Sequence, residues 1–526
     1  MQVFRAHRSV KDYVSRLYSQ DIDNLHEFLA TVTTENPGND VVEIEAKYSI
    51  LEDPTIPSEV LEYVEIGLAF DYSHSFIPSD LWDFVDDSEG KPKIIFDTLE
   101  ELIRWYFCVI CFNDIFYIYQ NGMFIEDKGE IASFLKRALE KKGITRKRMV
   151  RSIEREILWR LKTKSMFREF PFNKLQTEFI PCKNGVLWRK ERILLPHSPA
   201  FGYTYRLNVN YNPDADCPKI RKFLSEVTED SSILYEIAAS CLLQNPRYHH
   251  AYMLVGDGSN GKSTYLDMLT TFLGRENVSN ISLQELCNDK FKAAELLGKL
   301  ANIYADLPKK PIRNIGKFKM ITGGDRFVVE KKFKDPFFMT NTARLIFSAN
   351  ELPEVNDATY AFWRRWIVVK FPNRFRPNPR LLEEITDEEE LSGFLNEVLI
   401  YLAKIEEVGV KATDMIEKAM EEWMSRVNEV YAFAKEMLIQ DPNSFESKDK
   451  IYAAYKKFCE ENEYIPKAKN TFARELQRFV SVETERIRFE GKRIYVWKGI
   501  RLKEVSPEEV DYDLSDFDKH EDREMV

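Results

Sequence analysis

Residues 256–264 read Gly256-Asp257-Gly258-Ser259-Asn260-Gly261-Lys262-Ser263-Thr264, and the residues on either side supply the setting this pattern needs. Tyr252-Met253-Leu254-Val255 is a short, bounded apolar run that predicts a strand. Thr264 to Phe272, closed by Gly274, has the length of a helix with Leu266 and Leu269 on one face. The three glycines let the backbone curl until its N–H groups converge on an anion, beside the positive end of the helix dipole. Lys262 is then placed to reach the β- and γ-phosphates of a nucleoside triphosphate, and the Ser263 hydroxyl to ligate Mg²⁺.

On the C-terminal side of this loop, further strand-like runs end in polar groups. Leu300-Ala301-Asn302-Ile303-Tyr304-Ala305 leads into Asp306, and Ala343 to Ala349 leads into Asn350. Trp366 to Phe371 follows the pair Arg364-Arg365. Strands alternating with helices predict an α/β core over 246–375 with a mostly parallel sheet, its ligand groups at the strands' carboxyl ends.

The chain has 526 residues, 44% hydrophobic and 31% charged, room for several domains each with its own core. No apolar run reaches the roughly 18–20 residues of a membrane span, and the N-terminus lacks a signal-peptide core. A protein of the cytoplasm is expected, without membrane partners. Seven scattered cysteines suit a reducing compartment, and Cys108 and Cys111, set among Trp105, Phe107 and Phe112, are expected to be buried and structural. Charge is uneven along the chain. Residues 1–100 carry 21 acids against 7 bases and residues 504–526 carry 10 against 2, so with a total of −11 the intervening body is net +11. Such a body suits a polyanionic partner.

These shifts divide the chain. Residues 1–98 form an acidic module, and 99–245 an α+β domain that is aromatic and strand-rich to about 130. Next come a basic helical stretch over 131–165 and a helix from Ile220 to Leu243. The nucleotide-binding core at 246–375 is followed by a helical connector over 376–445. Residues 446–503 predict helices at Asp449–Glu461 and Thr471–Val480, then a hairpin about Glu490-Gly491-Lys492. Residues 504–526 form an acidic, disordered tail. For 131–165 a solvated face and a phosphate-facing surface both remain open.

The order of motifs resembles superfamily 3 helicases, most closely the helicase half of phage, plasmid and poxvirus primase–helicases. The residues that carry this are the phosphate loop, the Asp306 strand, Phe318-Lys319 with Ile321-Thr322-Gly323-Gly324-Asp325, Phe347 to Pro353, and Arg364-Arg365. Lys183-Asn184-Gly185-Val186-Leu187 and Tyr211-Asn212-Pro213 add to it. The resemblance covers 99–375, and 446–502 through a C-terminal winged helix; residues 1–98 fall outside it.

The resemblance implies an AAA+-type ATPase that uses ATP and Mg²⁺ and works as a ring, a homo-hexamer, on single-stranded and forked DNA alongside primase or other replication proteins. It implies that Asp306 holds Mg²⁺ and orients the attacking water, that Asn350 is the polar sensor, and that Arg364 or Arg365 enters the neighbouring subunit's site, with Lys319 a further trans-acting candidate. Leu307 stands where many relatives have a second acid, which leaves the catalytic base open. The resemblance also places Lys331, Lys332, Phe333 and Lys334 on a hairpin that grips single-stranded DNA in the ring's channel. The alternative there is a solvated turn. In the winged helix, Lys469, Arg474 and Arg478 are the DNA-facing bases. Two other readings stay open: an origin-binding initiator whose ATP controls assembly, and a primase–helicase with residual primase chemistry at Glu43-x-Glu45 and Ser73-His74.

Overall fold

Leu99, Leu102, Ile103 and Phe107 recur at helical spacing, and in the computed structural model they are the buried face of helix α1 (Phe96–Phe107). The structure describes residues 79–503 apart from 89–91, 176, 244–249, 309–310, 313, 356–359, 411–412 and 490–491, together with 56, 57, 60, 61, 63 and 64. The expectations placed on Glu43, Glu45, Ser73, His74 and the acidic tail lie outside the described residues. Two compact units emerge, 1–419 and 420–526.

In the first unit, α1 precedes β1 (Ile110–Phe112), β2 (Ile115–Gln120) and β3 (Met123–Glu126). The aromatic 99–130 stretch is therefore helix first and sheet second, a correction to the strand-rich expectation. Asn121 and Gly122, both at positive φ, make the two-residue turn between β2 and β3. Helices α2 (Glu130–Lys141) and α3 (Lys147–Ser165) follow, separated near Gly143, and β4 (Met166–Phe167) joins β1 in parallel to give the sheet order β3-β2-β1-β4. Ile131, Leu135, Leu139, Ile153, Ile157 and Leu161 close one core with α1. Both cysteines of the Cys108/Cys111 pair are buried and free, as expected, and burial pushes the Cys108 thiol up to about 12.

A three-stranded antiparallel sheet, β5 (Phe179–Cys182), β6 (Gly185–Trp188) and β7 (Ile193–Leu195), leads to α4 (Pro218–Val227) and α5 (Ser232–Leu242). The single helix expected over 220–243 is thus two. Asp230 breaks it, accepting from the Ser232 N–H at 3.0 Å. Helix α5 is buried on all sides, and Arg344 satisfies its last carbonyls, donating to Ser240 at 2.8 Å and Leu243 at 2.5 Å.

The core sheet is parallel throughout: β8 (Ala251–Val255), β9 (Val278–Ser279), β10 (Ala301–Tyr304), β13 (Arg344–Ala349) and β14 (Trp366–Lys370), in the order β9-β10-β13-β8-β14. Helices α6 (Lys262–Leu273), α7 (Leu283–Asn288) and α8 (Ile315–Gly323) connect these strands, and β11 (Arg326–Val329) pairs antiparallel with β12 (Phe337–Thr340) as a separate hairpin. Ala251 to Leu254 are fully buried, the signature of a strand covered on both faces. Strand β13 is central, with β10 on one side and the phosphate-loop strand β8 on the other.

Helix α9 (Glu388–Val408) packs on α5 through a stacked Tyr235–Tyr401 pair at 5.1 Å. Its buried Glu390 accepts from the Lys219 and Ile220 N–H groups, each at 3.1 Å, at the N-terminus of α4.

The second unit runs α10 (Glu429–Met437), β15 (Leu438–Ser447), α11 (Lys448–Glu461), α12 (Lys469–Phe479), β16 (Glu483–Phe489) and β17 (Lys492–Leu502), with antiparallel order β15-β17-β16. Strand β15 lies where only connector helix was expected. Asp441-Pro442-Asn443-Ser444 forms a bulge there, with the Asp441 carboxylate accepting from the Asn443 N–H at 3.0 Å and the Ser444 hydroxyl at 2.6 Å. Phe433, Tyr455, Phe458, Phe472 and Trp497 fill this core, with Tyr455 stacked on Phe472 at 4.2 Å.

Candidate active site

The loop between β8 and α6 is shaped by backbone. Gly258 and Gly261 take φ of 99° and 88°, and Ser259 between them 49°. A Cβ on Gly256 would collide with Asn260 Nδ2 and the Phe371 carbonyl, so that position admits only glycine. A Cβ on Gly261 would press on Val227 Cγ1 and Phe223 of α4. A chain of support follows: Glu390 caps α4, and the last turn of α4 backs the phosphate loop. From the other side, the Phe375 N–H donates to the Ser259 carbonyl at 2.8 Å, and Arg374 lies 3.8 Å from the Asp257 carboxylate. Two left-handed glycines, a helix N-terminus and the exposed Ser263 in its first turn fit a phosphate chain with its Mg²⁺.

The Lys262 side chain folds back into the loop that precedes it. It is buried, and its ammonium donates to the Gly256 carbonyl and to Asn260 Oδ1, the latter at 3.1 Å. Burial pulls its pKa below the ordinary lysine value, while Asp306 and then Asp257 pull it back up. The Asp306 carboxylate is therefore close enough to act on Lys262, although 44 positions separate them in sequence. Asp306 leaves β10 at φ 54°, a conformation Asp tolerates better than most residues. Ser348 of the neighbouring β13 holds it there: its hydroxyl accepts from the Asp306 N–H at 3.3 Å and its carbonyl from the Leu307 N–H at 2.8 Å. Asn350 lies exposed just beyond the same strand end. Sequence reasoning points to Asp306 and Asn350 but misses the anchoring role of Ser348, although the Ser348-Ala349-Asn350 run contains it. It also includes Asn260 in the loop without its role as the acceptor for Lys262.

The two candidate arginines differ. Arg365 is buried, donates to the Ala361 carbonyl, and sits beside Gly323 and Asp325; burial lowers its pKa, Arg364 adds to that, and Asp325 offsets it. Arg364 is exposed. Ala251 pairs with Trp366 and Val255 with Lys370, so Arg364 stands at the entry end of β14 while the phosphate loop leaves the exit end of β8. A five-residue strand separates these ends by about 16 Å. Lys319 is half-buried on α8.

At the hairpin tip, Phe333 is fully exposed at φ 63°, and Lys332 is exposed. Its other lysines are engaged: Lys331 pairs with Glu126 at 2.7 Å and Lys334 donates to the Asp114 carbonyl at 2.8 Å. In the second unit, Arg474 and Arg478 lie one turn apart, exposed, on α12, while Lys469 pairs with Asp449.

Three family models match successive segments: a D5 N-terminal-like family over 100–229, a family of unknown function (DUF5906) over 254–365, and a poxvirus D5 protein-like family over 425–515. A protein of Acanthamoeba polyphaga mimivirus named "Putative helicase L207/L206" is 27% identical over 172 residues, 31% of this chain. That match spans 18% of the mimivirus protein. Among solved structures, the apo C-terminal region of NrS-1 matches 74% of this chain and 95% of its own, at 16% identity and TM-score 0.44. A ligand-bound JCV helicase matches 40% of this chain and 62% of its own, at 15% identity and TM-score 0.24.

Proposed function

We propose that this chain, which belongs to the phage and poxvirus primase–helicase family, is an ATP-driven DNA helicase of superfamily 3 with an AAA+-type core. The observation that carries this reading is the convergence of Lys262, Asp306 and Asn350 at the exit ends of β8, β10 and β13, with Ser348 fixing Asp306 toward the loop. The loop N–H groups and Lys262 bind the triphosphate of ATP. Ser263 and Asp306 would hold Mg²⁺, which would supply positive charge against the triphosphate. Asp306 and Asn350 position the attacking water.

Arg364 stands at the far end of the sheet from its own loop, so it serves the site of a neighbouring copy, where a planar guanidinium suits charge spread over equatorial oxygens. That division of one site between two chains is the reason to read the working form as a ring, a hexamer by resemblance. Lysines of the β11–β12 hairpin hold single-stranded DNA. In the second unit, the order helix, strand, helix, helix and two strands suits a winged helix, whose Arg474 and Arg478 meet forked DNA. The site of action is replicating DNA in the host cell, with primase or other replication proteins as partners.

The test is displacement of a labelled strand from a forked duplex that contains no origin sequence. Displacement that requires ATP and Mg²⁺ is expected. ATP-dependent assembly on one specific duplex sequence, without displacement, would instead identify an origin-binding initiator.

A further inference from the structure

Helix α3 has two faces of opposite chemistry. Ile153, Ile157 and Leu161 point into the core it shares with α1 and α2. At about 100° per residue, Arg148, Arg151, Arg155 and Trp159 fall within an arc of about 80° on the other side. All four are exposed, Trp159 by 59%. The flanking bases of the helix are committed to acids of the same unit: Arg160 to Asp97 and Glu156, Lys162 to Asp114, and Lys164 to Glu100. Arg148, Arg151 and Arg155 make no ion pair among the described residues. A merely solvated basic face gains nothing from an indole at its end, because an exposed Trp forgoes a large apolar burial.

The stripe also leads somewhere. Met166, which follows the helix and is 55% exposed, lines a cleft of about 790 Å³ whose walls include Arg168, Arg326, Phe337 and Phe338. There the Arg326 guanidinium lies 4.8 Å over the ring of the exposed Phe338, on the hairpin formed by β11 and β12. Unpaired arginines about 5–6 Å apart, followed by an indole and an arginine–aromatic cleft, match what a single strand offers: regular phosphates with unstacked bases beside them.

We infer that the outer face of α3 is a single-stranded DNA track, with Arg148, Arg151 and Arg155 on phosphates, Trp159 stacked on a base, and the cleft by Met166 receiving the strand on its way to the hairpin. This rests on the helicase reading and adds to it a second DNA surface, on the domain that precedes the ATPase core.

The experiment is fluorescence anisotropy of the full chain with a labelled oligo-dT over a salt series, without nucleotide. It compares the wild type with Arg148→Ala/Arg151→Ala/Arg155→Ala, Trp159→Ala and Trp159→Phe. The triple variant should flatten the log–log salt slope by about 2, since each phosphate neutralised on a single strand accounts for about 0.7. Trp159→Ala should weaken binding about 5- to 100-fold with little change of slope, and Trp159→Phe should keep most of the affinity. Basal ATP hydrolysis and the melting temperature should match the wild type throughout; if the triple variant melts early, the Trp159 pair decides alone. Wild-type affinity and slope in both alanine variants overturn the track. So does intact DNA binding with lost self-association, which would make the stripe a protein-docking face. A wild-type chain that binds no oligo-dT would bring down the helicase reading itself.

Discussion

The phosphate loop and the β11–β12 hairpin are both assigned to phosphate, yet the chain builds them by opposite means. In the loop the binding groups are backbone N–H, set by glycines that nothing larger can replace, and its lysine is buried on fixed acceptors. At the hairpin the groups are long side chains on the surface, where Lys331 rests on Glu126 and Lys334 on a carbonyl. Exposed pairs of this kind contribute about 0–1 kcal/mol, so a DNA phosphate displaces them easily. The loop is therefore preorganised and intolerant, whereas the hairpin is adaptable, additive and sensitive to salt.

Replacements at the preorganised site should therefore have the largest effects. Arg364→Ala should lower ATP hydrolysis by about 10³- to 10⁵-fold with ATP binding nearly intact, and mixing it with Lys262→Ala protein should restore part of the activity. Arg365→Ala should show itself first as a lower melting temperature, because it strips a buried hydrogen bond to Ala361 and leaves Asp325 without its neighbour. If Arg365 rather than Arg364 proves to be the residue that acts between subunits, the end-to-end geometry of the sheet does not set the division of roles. Lys262→Ala should cut turnover by about 10²- to 10³-fold while the fold persists, seen as lost hydrolysis with a retained thermal melt.

Side-chain surfaces should give smaller, graded responses in DNA affinity. Arg474→Ala/Arg478→Ala should reduce the salt slope for forked duplex by about 1.8, at about 0.9 for each phosphate no longer neutralised, and leave basal hydrolysis alone. The smallest effect is expected from Glu126→Gln, which frees Lys331: the melt should hardly move and affinity for single-stranded DNA should rise less than about fivefold. A collapse of the fold in that variant would mean the hairpin pair is structural, and the contrast with the loop would fail.

The parts legible in sequence are those where backbone geometry is written in residue type. Gly256, Gly258 and Gly261 announce the loop, and bounded apolar runs announce β8, β10, β13 and β14. Tertiary facts are not legible. Arg364 and Arg365 are chemically identical neighbours, and tertiary packing, with Arg365 beside Gly323 and bonded to Ala361, tells them apart. The aromatic stretch before β1 suggests strands because aromatic residues favour them, yet the spacing of Leu99, Leu102 and Ile103 is helical. Strand β15 is hidden by Pro442 and Asn443, turn-forming residues that a bulge accommodates. The anchoring of Asp306 by Ser348 depends on β13 lying beside β10, an order no local pattern states.

The most direct test of the division between motor and grip is ATP hydrolysis by Lys331→Ala/Lys332→Ala protein, with and without a single-stranded oligonucleotide, beside strand displacement from the fork. Basal hydrolysis at the wild-type rate, with DNA stimulation and displacement both lost, is the expected result, since the loop turns over without the hairpin's hold on the strand. Stimulation and displacement at wild-type levels would contradict it and return these lysines to a solvated turn.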